Sequence, residues 1–160
     1  MSNLLTTRRE GNVFVFFLNI NDATLVPADV ASLFELVTPF LDEGCLDAGE
    51  TSAILVALEE LLTNVGKFGL IGRDARAKTE LLVAEGRIEI SSGNILFQIS
   101  DNGVSFDPAS FPPPFMPDDP QLLIPGGLGL HMLKQLFTSL RYARKDGQNV
   151  SEWVLSRSSS

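Results

Sequence analysis

Hydrophobic positions recur along this chain with two different spacings, and the change from one to the other divides it into strands and helices. Residues 13–18 are dense in Val and Phe, which suit a pleated strand. Val30, Leu33, Phe34, Val37 and Leu41 then recur at helical spacing. They follow Pro27, which fits a first helical turn because its missing N–H would be unpaired there in any case. Pro39 is expected to kink this helix and Gly44 to end it. Asp47-Ala-Gly-Glu50 has capping-box spacing and predicts a second helix running to about Phe68, with Gly69 as its stop. Residues 78–91 and 95–100 flank the turn Ser92-Gly93-Asn94 and predict an antiparallel hairpin. The proline-rich stretch 107–125 predicts a loop, and residues 128–137 a third helix. Residues 140–144 and 150–155 predict a closing hairpin that turns through 145–149. The sum is an α+β domain with a mixed, mainly antiparallel sheet and helices on one face.

Length and charge narrow the function. At 160 residues and 44% hydrophobic content the chain is expected to form a single domain, 1–160, with a packed core. Its formal charge of −8 disfavours a nucleic-acid partner and an anionic membrane surface, both of which call for clustered cations. Cys45 is the sole cysteine, expected as a buried apolar thiol, and it suits a reducing cytoplasm. Residues 13–18 are too short for a signal-peptide core, and no stretch is expected to be long enough to span a bilayer. The expectation is an unprocessed cytoplasmic protein.

Three separated segments carry candidate chemistry. In Glu60-Leu-Leu-Thr-Asn64 the two polar residues lie about 40° apart around the helix and share a stripe, with Lys67 near it. That stripe reads either as a solvated helix face or as a proton acceptor beside an amide that could hold magnesium. Asp101-Asn-Gly103 ends a strand and reads either as a turn or as a carboxylate that accepts from an adenine amino group. The signature continues through Phe106 to Pro108. Gly126, Gly127, Leu128, Gly129 and Leu130 open the third helix, where exposed N–H groups and the helix dipole favour an anion; the bland reading is a flexible entry loop. No Lys and Ser/Thr follow, so this is not a Walker loop. Residues 107–126 would then form a lid. His131 suits a structural or orienting role better than catalysis.

The blocks Leu58-Glu-Glu-Leu-Leu-Thr-Asn-Val65, Ser100-Asp-Asn-Gly-Val-Ser-Phe-Asp-Pro108 and Pro125-Gly-Gly-Leu-Gly-Leu-His-Met-Leu133 resemble the boxes of the bacterial anti-sigma-factor serine/threonine kinases. These belong to the ATPase superfamily that includes gyrase and histidine kinases. The resemblance runs from about residue 22 to 155. It implies a two-layer α/β sandwich that uses ATP and Mg2+. Glu60 would be the catalytic base, Asn64 the magnesium ligand, Asp101 and Gly103 the adenine contacts, and Gly127 and Gly129 the phosphate contacts. Lys67, Phe106, Gly126, Leu128 and Leu130 complete the expected nucleotide-binding set. The implied partners are a small anti-sigma-factor antagonist protein, which would be phosphorylated, and a sigma factor, with a homodimer as the implied assembly. The other functional class left open is a nucleotide-gated binding module without phosphotransfer.

Two positions depart from the family pattern. Phe68 stands where a histidine is common, with Gly66 nearby. Glu152, beside Ser151, falls where a threonine commonly supports the nucleotide, and a carboxylate there would repel phosphates. Three readings stay open: a register shifted by one, a side chain that points away, or weakened ATP binding.

Overall fold

The computed structural model describes residues 2–71, 80–113, 118 and 127–158. The elements in chain order are β1 (Leu4–Glu10), β2 (Val13–Ile20), α1 (Val26–Glu43), α2 (Ala48–Phe68), β3 (Leu82–Ile90), β4 (Asn94–Asp101), α3 (Leu128–Leu136), β5 (Ser139–Lys145) and β6 (Gln148–Ser156). The six strands form one sheet in the order β1-β2-β3-β4-β6-β5. Every pairing among them is antiparallel, which bears out the expected α+β fold with a mainly antiparallel sheet and shows no parallel pair among the described strands. The helical pair α1 and α2, both expected between these strands, returns the chain to the end of the sheet from which it left, so β3 runs antiparallel to β2.

Local chemistry sets the element ends. Asp47 caps α2, with its Oδ1 accepting from the Glu50 N–H at 2.7 Å while Glu50 Oε2 accepts from the Asp47 N–H at 3.0 Å. Gly69 ends the helix as expected. Pro27 sits in the first turn of α1, Pro39 lies inside it, and Gly44 follows its last residue. β1 was not foreseen. It is an exposed edge strand of mainly polar and charged residues, so it carries no apolar signature, and such charge suits an edge that must not pair further. Asp146 (φ 52°) and Gly147 (φ 77°) form the tight turn between β5 and β6. Both angles are positive, which is the geometry that matches strand twist in a two-residue hairpin. The turn is therefore shorter than 145–149, and Asn149 belongs to the strand.

Alternation along the strands builds the core. Phe14, Phe16, Leu18, Ile88, Phe97 and Trp153 face α1 and α2, where they meet Leu33, Val37, Leu41, Ile54, Leu58 and Leu62. The opposite face carries Arg87, Gln98, Glu152 and Arg141, which are aligned across four strands. Residues Ala23–Glu43 are long and apolar enough to cross a membrane by length and composition, with a mean hydropathy of 1.4, which corrects the expectation that no stretch is. Val30, Leu33, Val37 and Leu41 of that helix are buried in the core, and this accounts for its apolar character. Cys45 is exposed, not buried: it follows the end of α1 with φ 53° and projects outward.

Gly86 lies directly beneath the Phe16 ring, where an added Cβ would overlap the ring carbons. Alanine ordinarily improves a strand over glycine, but here Phe16 is fully buried and cannot retreat. Gly86→Ala is expected to lose about 1–3 kcal/mol in urea unfolding, as overpacked cores do. An unchanged or raised midpoint would refute this packing argument.

Candidate functional site

A cleft opens between the C-terminal half of α2, the end of β4 and the β5–β6 hairpin. Its inner part has apolar walls from Leu61, Val65, Ile99, Phe106 and Pro108, and polar groups at Asp101, Tyr142, Asn149 and Ser151. Flat apolar walls with a few convergent polar groups suit an aromatic base. Asp101 is oriented by its neighbours: its Oδ1 accepts from the Gly103 N–H at 2.8 Å and from Asn149 Nδ2 at 3.0 Å. Gly103 lies behind this carboxylate and not on the cleft wall. A Cβ there would stand 2.7 Å from Asp101 Oδ1 and 2.8 Å from the Gly69 Cα. Glycine is needed because two chain segments meet at this point, and the Val104 N–H donates to the Gly69 carbonyl at 3.0 Å.

The outer chamber shares Asn64, Phe68, Val104 and Phe106 with the inner part, so the two are continuous. Its remaining wall brings together Glu60, Lys67, Gly127, Leu128, Gly129 and Leu130. Glu60 and Asn64 sit one turn apart on α2, half-buried, and Lys67 is exposed at the rim. Gly129 abuts the Glu60 carboxylate so closely that a Cβ would overlap it. The start of α3 therefore approaches α2 by its bare backbone. Gly127 takes φ 75°, a left-handed conformation closed to most residues. Gly126 lies outside the described residues.

Parity along β6 resolves the Glu152 question. Ser151 lines the inner cleft, its Oγ accepting from the Trp153 indole N–H at 3.0 Å, whereas Glu152 alternates to the opposite face of the sheet opposite Gln98 and Arg141. The side chain points away, so it brings no repulsion to the cleft. Asn149, Tyr142 and Ser151 were missed as individual site residues. The signal for them was the shared parity of 142 with 149 and 151, legible only once the hairpin register is known. His131 is not among the residues lining this cleft, and its Nε2 lies 3.2 Å from Gln135 Nε2 on the same helix.

Of the expected lid, only 107–113 and 118 are among the described residues. Its first part is pinned. Asp107 accepts from the Ser110 hydroxyl at 2.6 Å and the Ala109 N–H at 2.8 Å, and Lys134 of α3 donates to the carbonyls of Ala109 and Phe111. The Ser110 hydroxyl, with the two backbone N–H groups and the nearby Lys134 ammonium, holds the Asp107 carboxyl below the usual carboxylate range.

The family model of the histidine kinase-like ATPase domain matches residues 24–152, from the start of α1 to β6. The chain belongs to this family. No curated protein matches it. Membership in this family supports ATP binding by the domain. The donor set agrees with a magnesium ion delivered by the nucleotide. Asn64 offers one neutral amide oxygen with Glu60 a turn away, and no group of three His, Cys, Asp or Glu suited to a metal occurs among the described residues. Mg2+ commonly takes one or two protein oxygens and fills its octahedron with phosphates and water.

Two fixed donors face Asp101 Oδ1, so Asp101→Asn would keep its carbonyl toward them and turn its NH2 into the cleft. That sets donor against donor at an adenine amino group and removes a charge-assisted bond. Calorimetry should show ATP affinity weakened by on the order of tenfold or more. Glu152→Gln, on the far face, should bind as the parent does. Equal affinities for all three proteins would remove Asp101 from the site.

Proposed function

We propose that this ATPase-family protein is a cytoplasmic serine/threonine-protein kinase of the anti-sigma-factor type. It transfers the ATP γ-phosphoryl group to a hydroxyl of a small antagonist protein and holds a sigma factor by another surface, working as a homodimer. The observation that carries the reading is the position of Glu60. Its half-buried carboxylate stands in the outer chamber, one helical turn from Asn64 and against Gly129 at the start of α3. A substrate hydroxyl entering from the rim would meet this carboxylate beside the terminal phosphate.

In that arrangement Asp101 and the apolar walls hold the base, the N–H groups opening α3 hold phosphate oxygens, and Asn64 holds magnesium. The hydroxyl oxygen bonds to the γ-phosphorus, its proton passes to Glu60, and the bond to the β,γ-bridging oxygen breaks to leave ADP. Phosphoryl transfer asks mainly for positioning and charge stabilisation, which this division of labour provides. Resemblance of the three sequence blocks to anti-sigma-factor kinases supports the choice of a protein hydroxyl as acceptor.

Glu60→Gln keeps size and reach, and it leaves the residues that grip the nucleotide untouched. ATP binding should stay near the parent level while transfer to the antagonist falls by roughly a hundred- to ten-thousand-fold, the usual weight of a general base. Labelled ATP, the purified protein and candidate antagonists make the assay. Equal transfer rates would overturn the catalytic assignment. A parent that binds ATP yet transfers to no partner would favour a nucleotide-gated binding module.

A further inference from the structure

Asn149 is a polar residue buried to 6% exposure at the edge of the inner cleft, and every hydrogen-bonding position of its side chain is engaged. Its Oδ1 accepts from the Tyr142 hydroxyl at 2.7 Å, from Arg144 Nη1 at 2.8 Å and from the Phe106 N–H at 3.2 Å. Its Nδ2 donates to Asp101 Oδ1 at 3.0 Å and to the Val104 carbonyl at 2.7 Å. Arg144 Nη1 also donates to the Gly103 carbonyl at 3.0 Å. One side chain thus joins β4, the loop that follows it and the β5–β6 hairpin.

We propose that Asn149 is the positioning residue of the nucleotide site: it sets the orientation of the Asp101 carboxylate and the placement of the wall at 104–106. The proposal rests on the reading of this cleft as an ATP site. The chemistry is specific to an amide. Two donors must point at two acceptors while one oxygen meets three donors, and no other side chain of this length supplies both. A buried hub of this kind costs more when half satisfied than when absent, so losing one arm unsettles the others. Because β6 pairs Asn149 with Asp101 in register, the amide reaches the carboxylate with no change of backbone.

Three measurements on the full chain test it. In nucleotide-free protein, Asn149→Ala should speed amide hydrogen exchange at Gly103 and Phe106. By calorimetry the same variant should bind Mg-ATP on the order of tenfold or more weakly. Asn149→Asp is the sharper variant, because it keeps the volume and the acceptor for Tyr142 and Arg144 but sets a second carboxylate against Asp101. Among the described residues, the charged and titratable groups bonded to it are Asp101 from β4 and Tyr142 and Arg144 from β5. Its ATP affinity relative to the parent should be poor at pH 8 and partly regained at pH 5, where a shared proton restores a donor.

Faster exchange with ATP affinity within twofold of the parent would overturn the proposal, as would an Asn149→Asp to parent ratio near one at both pH values. A parent that binds no Mg-ATP would show that the nucleotide reading itself fails, and would take the proposal down with it; the exchange data would still report the clasp on its own. If Asn149→Ala does not fold, Asn149→Asp decides.

Discussion

Among the described residues, helices cover one face of the sheet, and each strand offers that face every second side chain. Parity therefore decides what each strand residue can do. On β4 the even spacing that buries Ile95, Phe97 and Ile99 carries forward to Asp101, and on β6 the spacing that buries Trp153 runs back through Ser151 to Asn149. The polar residues of the cleft are continuations of the core rows, at the point where α2 ends and the helical cover stops. A shift of one residue in either strand would put Ser100 and Val150 into the cleft and turn the carboxylate and its amide to the far face.

The same geometry explains where glycine is required. The turn after β4, in which the Gly103 N–H donates to Asp101, lies against Gly69 at the end of α2, and backbone meets backbone there. At the outer chamber Gly129 lets the first turn of α3 come up to Glu60. Both close approaches tie the C-terminal part of α2 to a glycine of another segment, so the length of α2 governs the site. The capping box at one end and Gly69 at the other fix that length.

Much of this was legible before the coordinates. Capping residues, helical spacing and turn glycines located α1, α2 and the β3–β4 hairpin, because these signals are local and each has one dominant structural use. Glu60, Asn64 and Asp101 were found as residue types that fit a chemistry, and the fold brings them to one cleft. What escaped was non-local. β1 is an edge strand whose polar sequence carries no mark of its pairing. Asn149 lies two residues after Asp146-Gly147 and reads as turn material, yet its role depends on standing opposite Asp101. Glu152 looked like an obstacle only because sequence alone does not say which of two adjacent residues faces the helices.

Polar locks stand at both ends of the layer formed by α2, β4 and β6. At the far end Arg157 pairs with Glu50 at 3.4 Å and donates to the carbonyls of Ser91 and Cys45, joining the start of α2 to the end of β6 and the β3–β4 turn. At the cleft end Asn149 and Arg144 hold Asp101, Gly103 and the following loop. Between them Trp153 and Phe97 are fully buried. The wall of the inner cleft is therefore tied to the sheet by hydrogen bonds on its polar side. At the outer chamber, the anchors of α3 among the described residues are Leu130 and Leu133 in the core, Phe137 against Trp153, and Lys134 on the loop at Ala109 and Phe111. A nucleotide seated against that wall would meet α3 at Gly127 and Gly129, where backbone and not side chain lines the chamber.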